Sequence, residues 1–457
     1  MTELLSIILA AGEGTRMRSA RPKVLHEIGG LPLVAHVLEA ARAAGSTRIA
    51  VVIGPNHEAV QADLSARMPA LSFASQTQRL GTGHAVREAR AAFADAMGNV
   101  IVLLGDAPLI AAQTIAEVAA RLDAGADIAV VGFEAADPTG YGRMITDGGR
   151  LLAIREHKDA SEAERRLALC NSGIIGFRAE VLRSVIDRID NKNAKGEFYL
   201  TDAIEIANGD GRRVEFTRAD EREVQGVNDR AQLAKAEAQF QALRRDDFMA
   251  SGVTLKDPGT VYFSYDTQIG RDVVIEPNVV FGPGVRIDEG AVIHAFSHLE
   301  GAHVGPGASV GPFARLRPGA DLADGAKVGN FVEVKNARVG KGAKLPHLSY
   351  VGDTEVGAKA NLGAGTITCN YDGVNKSKTV IGEGAFIGSN TSLVAPVSIG
   401  ANAYVGSGSV ITRDVPADAL AVARARQENK DGYAPRLKAR ALAIKQAKAA
   451  KAESSGK

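Results

Sequence analysis

Between residues 269 and 411 the apolar positions of this chain fall on a six-residue beat. Aliphatic or aromatic residues stand at Ile269, Ile275, Phe281, Ile287, Ile293 and Leu299, then at Val304, Val310, Leu316, Leu322, Val328 and Val334 after one five-residue step. Two further short steps carry the beat through Val339, Leu345, Val351, Val356 and Leu362, and after a gap it returns at Ile381, Ile387, Leu393, Ile399, Val405 and Ile411. Two residues before an apex the side chain is small or β-branched, as at Val273, Ala291, Ser297, Ala302, Ala308, Ala320, Ala337, Ser349, Ala385 and Ser409. A period of six matches neither a helix nor an alternating strand. It predicts a parallel β-helix, each hexad a short strand and a corner, with three hexads closing a coil of about eighteen residues. Coils stack about 4.8 Å apart. Glycines after apices, such as Gly311, Gly340, Gly357 and Gly382, permit close backbone turns.

Residues 1–227 alternate differently. Apolar runs at Ser6–Ala10, Arg48–Ile53, Asn99–Leu104 and Ile128–Phe133 read as strands, and amphipathic stretches at Val34–Ala44, Ala85–Ala92 and Thr114–Leu122 as helices. That β–α order predicts a mostly parallel sheet covered on both faces, with ligands at the carboxyl ends of its strands. From Asp229 to about Phe248 an Ala-, Gln- and Arg-rich stretch spaces Leu233, Phe240 and Leu243 for one apolar face, the pattern of a helical arm. The expected domains are 1–228, a helical linker over 229–250, and a β-helix with a basic tail over 251–457.

Composition narrows the setting. A net charge of +1 gives no global field for nucleic acid or acidic membranes. Cys170 and Cys369 are too few and too far apart in sequence for a disulfide framework, which fits a reducing compartment. No apolar run is long enough to span a bilayer, and the start, from Met1 to Ile8, lacks a basic leader and reads as a first strand. The expectation is a cytoplasmic protein with small-molecule substrates, no nucleic acid and no integral membrane association.

The first strand runs into Leu9-Ala10-Ala11-Gly12-Glu13-Gly14-Thr15-Arg16, where small residues let backbone N–H groups approach a phosphate. It is neither a P-loop nor the dinucleotide fingerprint, since Met17 stands at the third Gly. Arg16 and Pro22-Lys23 add cations just downstream. Leu-Ala-Ala-Gly-x-Gly-Thr-Arg-Met followed by Pro-Lys resembles the signature of sugar-1-phosphate nucleotidylyltransferases. The family's later motifs follow in order. They are Gln76 with Leu80-Gly81-Thr82-Gly83, Gly105-Asp106-Ala107-Pro108, Thr139-Gly140-Tyr141-Gly142-Arg143, Glu156-His157-Lys158, Asn171-Ser172-Gly173 and Gly226-Val227-Asn228.

With a long hexapeptide helix attached, residues 5 to about 430 resemble the bacterial bifunctional N-acetylglucosamine-1-phosphate uridyltransferase/glucosamine-1-phosphate N-acetyltransferase family. The resemblance implies an α/β chain: a Rossmann-like nucleotidyltransferase domain joined by the helical arm to a left-handed parallel β-helix. It also implies uridylyl transfer from UTP, feeding peptidoglycan and lipopolysaccharide precursors. In that reading Leu9, Ala10, Ala11, Gly12, Arg16, Lys23, Leu104 and Gly105 surround the nucleotide and its phosphates. Gln76, Gly81 and Thr82 read uracil, and Gly142, Glu156 and Asn171 hold the amino sugar. Asp106 and Asn228, hard oxygen donors, hold Mg²⁺. Leu104 stands where the family often has Tyr.

The beat itself locates side chains of a second site. Arg317 follows apex Leu316 and Lys335 follows apex Val334, three rungs apart, so they stack one coil above the other. Two cations about 5 Å apart repel unless an anion lies between them, and a sugar phosphate is such an anion. Glu333 and Tyr350 each precede an apex on that same side, His347 sits at the corner before Tyr350, and the rung of Leu362 stacks on that of Leu345, bringing Asn361 and Ala364 near. The resemblance then implies roles. His347 is the general base toward the amine of glucosamine 1-phosphate, with Glu333 a candidate to orient it. Arg317 and Lys335 grip the phosphate, Tyr350 and Asn361 the sugar, and acetyl-CoA meets Ala364, Asn370, Tyr371, Ser389, Ser407 and Arg424. The break in the beat at Asn370-Tyr371-Asp372-Gly373 is a functional loop. Pro346 stands where Gly is common, and Ser407 where some members have Ala.

His294, His298 and His303 fall on different rungs and on different sides of their apices, so they read as solvated rather than as a zinc site. The flat face beside the loop, together with the resemblance, implies a homotrimer. Residues 435–457, with seven Lys or Arg and one acid, read as a solubilising tail. Two alternatives stand beside this reading: the same N-terminal enzyme with a β-helix used only for assembly or regulation, as in ADP-glucose pyrophosphorylases, and a scaffolding solenoid with a degenerate front domain, against which intact Asp106, Asn228 and Lys23 count.

Overall fold

The structure, a computed structural model, describes residues 3–55 and 58–454, with side chains as far as Lys451. Met1 and Thr2 of the expected first strand, and the last three tail residues, lie outside the described residues. The chain divides into two compact units, Met1–Gly307 and Ala308–Lys457. The division falls within the hexapeptide region, not at the expected linker.

In the first unit the head is built on a sheet of nine strands: β1 (Leu4–Ala10), β2 (Arg48–Ile53), β3 (Ser72–Ser75), β4 (Asn99–Leu104), β5 (Ile128–Glu134), β6 (Arg143–Asp147), β7 (Arg150–Arg155), β8 (Leu169–Arg178) and β9 (Val214–Arg218). The main order is β9-β5-β8-β4-β1-β2-β3, with the β6/β7 hairpin attached to β8. β1 pairs in parallel with β2 and β4, whereas β8 runs antiparallel between β4 and β5. The sheet is therefore mixed. The antiparallel strand escapes a periodicity reading because its register shifts between Asn171 and Ile175 and its middle is polar.

Alternation along β1 feeds two cores. Ile8 joins Leu103, Val34, Leu38 and Val118 on one face, and Ile7 joins Val102, Val86, Phe93 and Leu182 on the other. Truncating any of these fully buried side chains to Ala costs about 2–5 kcal/mol, so the carboxyl ends of β1 and β4 are stiffly held.

A helix spans Arg230–Ala250, its first turn capped by Asp229, whose carboxylate accepts the Gln232 N–H at 2.8 Å. Its buried residues are Ala236, Phe240, Gln241 and Phe248. Leu243 is instead half exposed. Gln241 takes the place expected for it, exchanging two 2.8 Å hydrogen bonds with the Phe263 backbone. Phe240 packs so closely on Gly29 (φ 52°) that a Cβ there would stand 2.3 Å from its ring.

The hexads form two-to-seven-residue strands stacked in parallel. In the first unit Thr254–Leu255, Val274–Ile275 and Val292–Ile293 follow one another up one face. In the second unit three faces recur. One carries Lys327–Asn330, Lys344–His347, Asn361–Leu362, Phe386–Ile387 and Tyr404–Val405. The longer strands Glu333–Val339 and Tyr350–Val356 turn a corner and contribute to the other two. Every apex named above is buried except Ile269, which is half-buried. The small residues two positions earlier are buried too. Where a five-residue step falls, the coil shortens to seventeen residues, as in the pairs Ala320↔Ala337 and Glu333↔Tyr350. The tail forms an exposed helix, Tyr433–Ser454.

Candidate functional sites

At the carboxyl end of β1 the chain enters the Gly12–Arg16 turn. Gly14 adopts φ 68°, and a Cβ there would lie 2.5 Å from Cβ of Lys23. The turn and Lys23 thus pack without room for a larger residue. The Lys23 ammonium, nearly buried, bridges Asp106 at the end of β4 and Asn228, whose Oδ1 it meets at 3.2 Å. The Val227 N–H bonds the Asp106 carbonyl at 2.8 Å, fixing the two chain segments together. Around this cluster lie two adjoining cavities of about 370 and 420 Å³ that share Leu9, Thr82, Leu104, Asp106 and Glu156. The first takes Ala10, Ala11, Gly12, Lys23, Gln76 and Gly81, and the second Arg16, Gly142, Asn171 and Asn228.

Gly105 lines neither cavity. Its N–H bonds the Leu9 carbonyl at 2.9 Å, so it serves the close packing of β4 on β1. Gln76, buried, donates its amide to the Gly81 carbonyl at 3.0 Å and lies 3.1 Å from His84 Nδ1. Gly81 (φ 106°) has no space for a Cβ, which would stand 2.5 Å from the Phe198 carbonyl. In the second cavity, Asn171 N–H bonds the Gly142 carbonyl at 2.9 Å, and Thr201 donates to Glu156 at 3.3 Å. Burial pushes the Glu156 carboxyl up from its ordinary value, partly offset by Thr201. Leu104, in the position of the family's Tyr, packs where a Cβ on Gly173 would be, 2.5 Å from its Cδ1.

Two lining cations carried no sequence signal. Arg79 holds the glycine turn by donating to the Ala11 carbonyl at 2.9 Å, and Lys195 comes from the 190–198 loop. Neither belongs to a patterned motif. Among the described residues no group of three or more His, Cys, Asp or Glu gathers as for a metal. The Asp106–Asn228 pair nevertheless fits Mg²⁺. Both oxygens already converge on one cation, and Mg²⁺ commonly takes one or two protein oxygens with waters and phosphates for the rest.

In the second unit the register Leu316↔Val334 sets Arg317 beside Lys335, and Val334↔Val351 sets Lys335 beside Gly352. Glu333 pairs with Tyr350, and Asn330 with His347. Two findings alter the expected contacts. Glu333 does not orient His347: its carboxylate accepts from Arg317 Nη1 at 2.8 Å. His347 instead places Nδ1 2.5 Å from Asn330 Oδ1, one coil below. An amide oxygen only accepts, so Nδ1 is the donor, and in the neutral imidazole Nε2 is then the nitrogen with the lone pair. The signal for Asn330 was its place seventeen residues before His347, the same spacing that pairs Glu333 with Tyr350.

Lys376, from the loop that interrupts the beat, was also missed. Its ammonium, and then Arg317, lower the Lys335 pKa. Asn370, buried, spends its amide on Asp353, while Tyr371 is exposed and donates to the Gly373 carbonyl at 2.5 Å. The expected acetyl-CoA residues therefore divide. Ala364, Ser389 and Ser407 continue the corner column above His347, with Arg424 at its end against Gly408, whereas Asn370 and Tyr371 sit at the Lys335 corner. Asn361 lies on the face before the His347 corner, stacked on Lys344, and Tyr350 on the face after it, its hydroxyl over Gly352. Between His347 and Gly352, which lies beside Lys335, the chain turns a corner at Leu348 (φ 49°). Elsewhere, His303 meets Asp288 at 2.8 Å and His294 meets Glu276 at 3.2 Å.

A nucleotide-sized cleft at the strand ends, and a hexapeptide prism with an imidazole on its corner, define a two-part transferase. The chain matches the MobA-like NTP transferase domain over residues 6–169 and the bacterial transferase hexapeptide over 266–301 and 378–413. It is 57% identical over 434 residues to a Bifunctional protein GlmU of Bradyrhizobium sp. (strain ORS 278), covering 95% of this chain and 97% of that one. To the protein of that name from Azorhizobium caulinodans it is 58% identical, with the same coverage. To that from Agrobacterium fabrum it is 54% identical, over 97% of this chain and 98% of the relative. The chain belongs to the GlmU family of bifunctional proteins.

Proposed function

We propose that the chain makes UDP-N-acetylglucosamine in two steps. Residues 251–457 transfer acetyl from acetyl-CoA to glucosamine 1-phosphate. Residues 1–228 then transfer uridylyl from UTP to N-acetylglucosamine 1-phosphate and release pyrophosphate, with 229–250 as the connecting helix. The observation that carries this reading is the Asn330–His347 bond, because an assembly-only β-helix has no use for an imidazole held by an amide at its corner.

In the head, a phosphate oxygen of the sugar attacks the α-phosphorus, and the bond to the β-phosphate breaks. Such chemistry needs positioning and charge neutralisation more than covalent help. Arg16 and Lys23 supply positive charge to the phosphates, and the Leu9–Gly12 turn supplies backbone N–H groups. With its amide hydrogens engaged, Gln76 turns its carbonyl oxygen to uracil. Gly142, Glu156 and Asn171 hold the sugar. Asp106 and Asn228 would hold Mg²⁺, which adds positive charge to the triphosphate.

In the β-helix, His347 Nε2 takes the proton as the amine nitrogen bonds the acetyl carbon. The C–S bond breaks, and the thiolate leaves to be protonated. Lys335, Lys376 and the Glu333-paired Arg317 hold the phosphate, and Tyr350 and Asn361 the sugar. The column Ala364–Ser389–Ser407, ending at Arg424, offers acetyl-CoA a strip leading from the imidazole, with Asn370 and Tyr371 completing its contacts.

We further read the chain as a homotrimer. Phe313 and Phe331 stack at 5.3 Å on one corner, and Leu348 follows them, all about half exposed and all at positive φ (54°, 56° and 49°). Bulky residues held that way cost roughly 1–2 kcal/mol each, and burial against a second copy offsets that cost. Two unpaired thiols support a cytoplasmic setting. Among the described residues no helix is long and apolar enough to cross a membrane.

The test is direct. With acetyl-CoA and glucosamine 1-phosphate but no UTP, free thiol appears, and His347→Ala abolishes it. With UTP and N-acetylglucosamine 1-phosphate, pyrophosphate appears, and Asp106→Asn abolishes only that. Thiol release surviving in His347→Ala refutes the acetyl step, and a one-chain sedimentation mass refutes the trimer.

A further inference from the structure

Arg143 opens β6 and is 1% exposed, the largest fully buried side chain of the molecule. Its hydrogen bonds end on two backbone carbonyls and one imidazole nitrogen, with no carboxylate among them. Nη1 donates to the Tyr141 carbonyl, Nε and Nη2 to the Arg165 carbonyl at 3.4 and 3.2 Å, and Nη2 to His157 Nδ1 at 3.4 Å. A buried guanidinium satisfied this way is costly, since each of its donors must find an acceptor. The acceptors explain what the arrangement secures. Tyr141 belongs to the 139–142 turn that walls the sugar cavity, and His157 follows Glu156 directly. Arg143 pairs with Cys170 across β6 and β8, one step from the bond between Asn171 N–H and the Gly142 carbonyl. The side chain therefore ties the segments that carry Gly142 and Glu156 to each other and to the turn at Arg165, while the backbone bond from Asn171 joins the third segment to Gly142.

We infer that Arg143 is a positioning residue that sets the geometry of the sugar-phosphate subsite. The inference rests on the uridylyl-transfer reading above. Arg143 touches no substrate. A planar fork reaching three acceptors has no substitute in Lys, which offers a point charge, or in Met, which offers none. Misplacing the turn displaces the sugar while leaving the uracil and triphosphate contacts of Gln76, Gly81 and Lys23 in place.

The test uses the full chain with Arg143→Met, Arg143→Lys and His157→Ala. Initial rates of pyrophosphate release are measured with UTP and N-acetylglucosamine 1-phosphate varied separately, and acetyl transfer in the same samples reports intact folding of the other half. Arg143→Met raises KM for the sugar phosphate about tenfold or more, with KM for UTP within about twofold. Arg143→Lys and His157→Ala give smaller shifts of the same kind, about threefold. His157→Ala leaves the guanidinium in place, so it keeps the test open if Arg143→Met does not fold. Both KM values rising together, or an unchanged sugar KM in His157→Ala, overturns the inference. A wild-type chain that releases no pyrophosphate with these substrates sinks the underlying reading instead.

Discussion

Replacing Asn330 with Ala isolates the tautomer argument. While the imidazole is neutral the His347–Asn330 bond joins two neutral groups, contributing about 0.5–1.5 kcal/mol. Once the imidazole has taken the amine proton, the same 2.5 Å contact becomes a bond from a cation, contributing about 1.5–3 kcal/mol. Only the difference, roughly 1–2 kcal/mol, lowers the barrier. Asn330→Ala should thus reduce kcat for acetyl transfer about 5- to 30-fold, with KM for acetyl-CoA little changed. Thiol release under saturating substrates measures it, and pyrophosphate release in the same preparation serves as the unaffected control. A kcat within twofold of wild type would show that Asn330 does not act through His347.

Three further outcomes follow. Lys23→Met leaves Asp106 and Asn228 without their shared ammonium, and uridylyl transfer should fall about 100-fold or more, with acetyl transfer intact; a loss below tenfold in pyrophosphate release counts against it. Burial, with Glu205 and Asp190 adding repulsion, pushes Asp202 up to about 6. Its folded pKa exceeds its unfolded one, so its ionisation weakens the fold as pH rises from about 4 through 6. Asp202→Asn should therefore raise the melting temperature at pH 7.5, by roughly 1–2 kcal/mol equivalent after screening, and change nothing at pH 4. An equal effect at both pH values counts against that account. Gly81→Ala forces a Cβ against the Phe198 carbonyl at positive φ, and should destabilise the head by about 2 kcal/mol or more and raise KM for UTP. Thermal unfolding and UTP titration check both.

Much of the molecule was legible because its period is so regular. The hexad phase alone fixes that Glu333 meets Tyr350 and that Arg317 stacks beside Lys335, since register in a prism is arithmetic. The same arithmetic contained Asn330. What hid it was chemistry: an acid such as Glu333 attracts attention as a partner for an imidazole, while an amide does not. Glu333 went to Arg317 because the two lie diagonally across adjacent rungs, a contact that rung counting does not rank. In the head, strands with clean apolar runs were visible, but β8 was not, because Asn171, Ser172 and Gly173 interrupt its apolar run. Arg79 and Lys195 reach the cleft from loops whose course depends on the whole fold. The linker illustrates the same limit: Gln241 rather than Leu243 faces inward, because backbone groups at Phe263 needed partners.

The nine-residue excursion between Cys369 and Thr379 ends with Thr379 seated directly on Thr354, so the stack resumes as though nothing had been inserted. Additions at a bend are therefore harmless to the rungs above. A single residue gained or lost inside a straight segment is another matter. Within that segment it would turn inward groups outward and, placed between Asn330 and His347, part the imidazole from its amide.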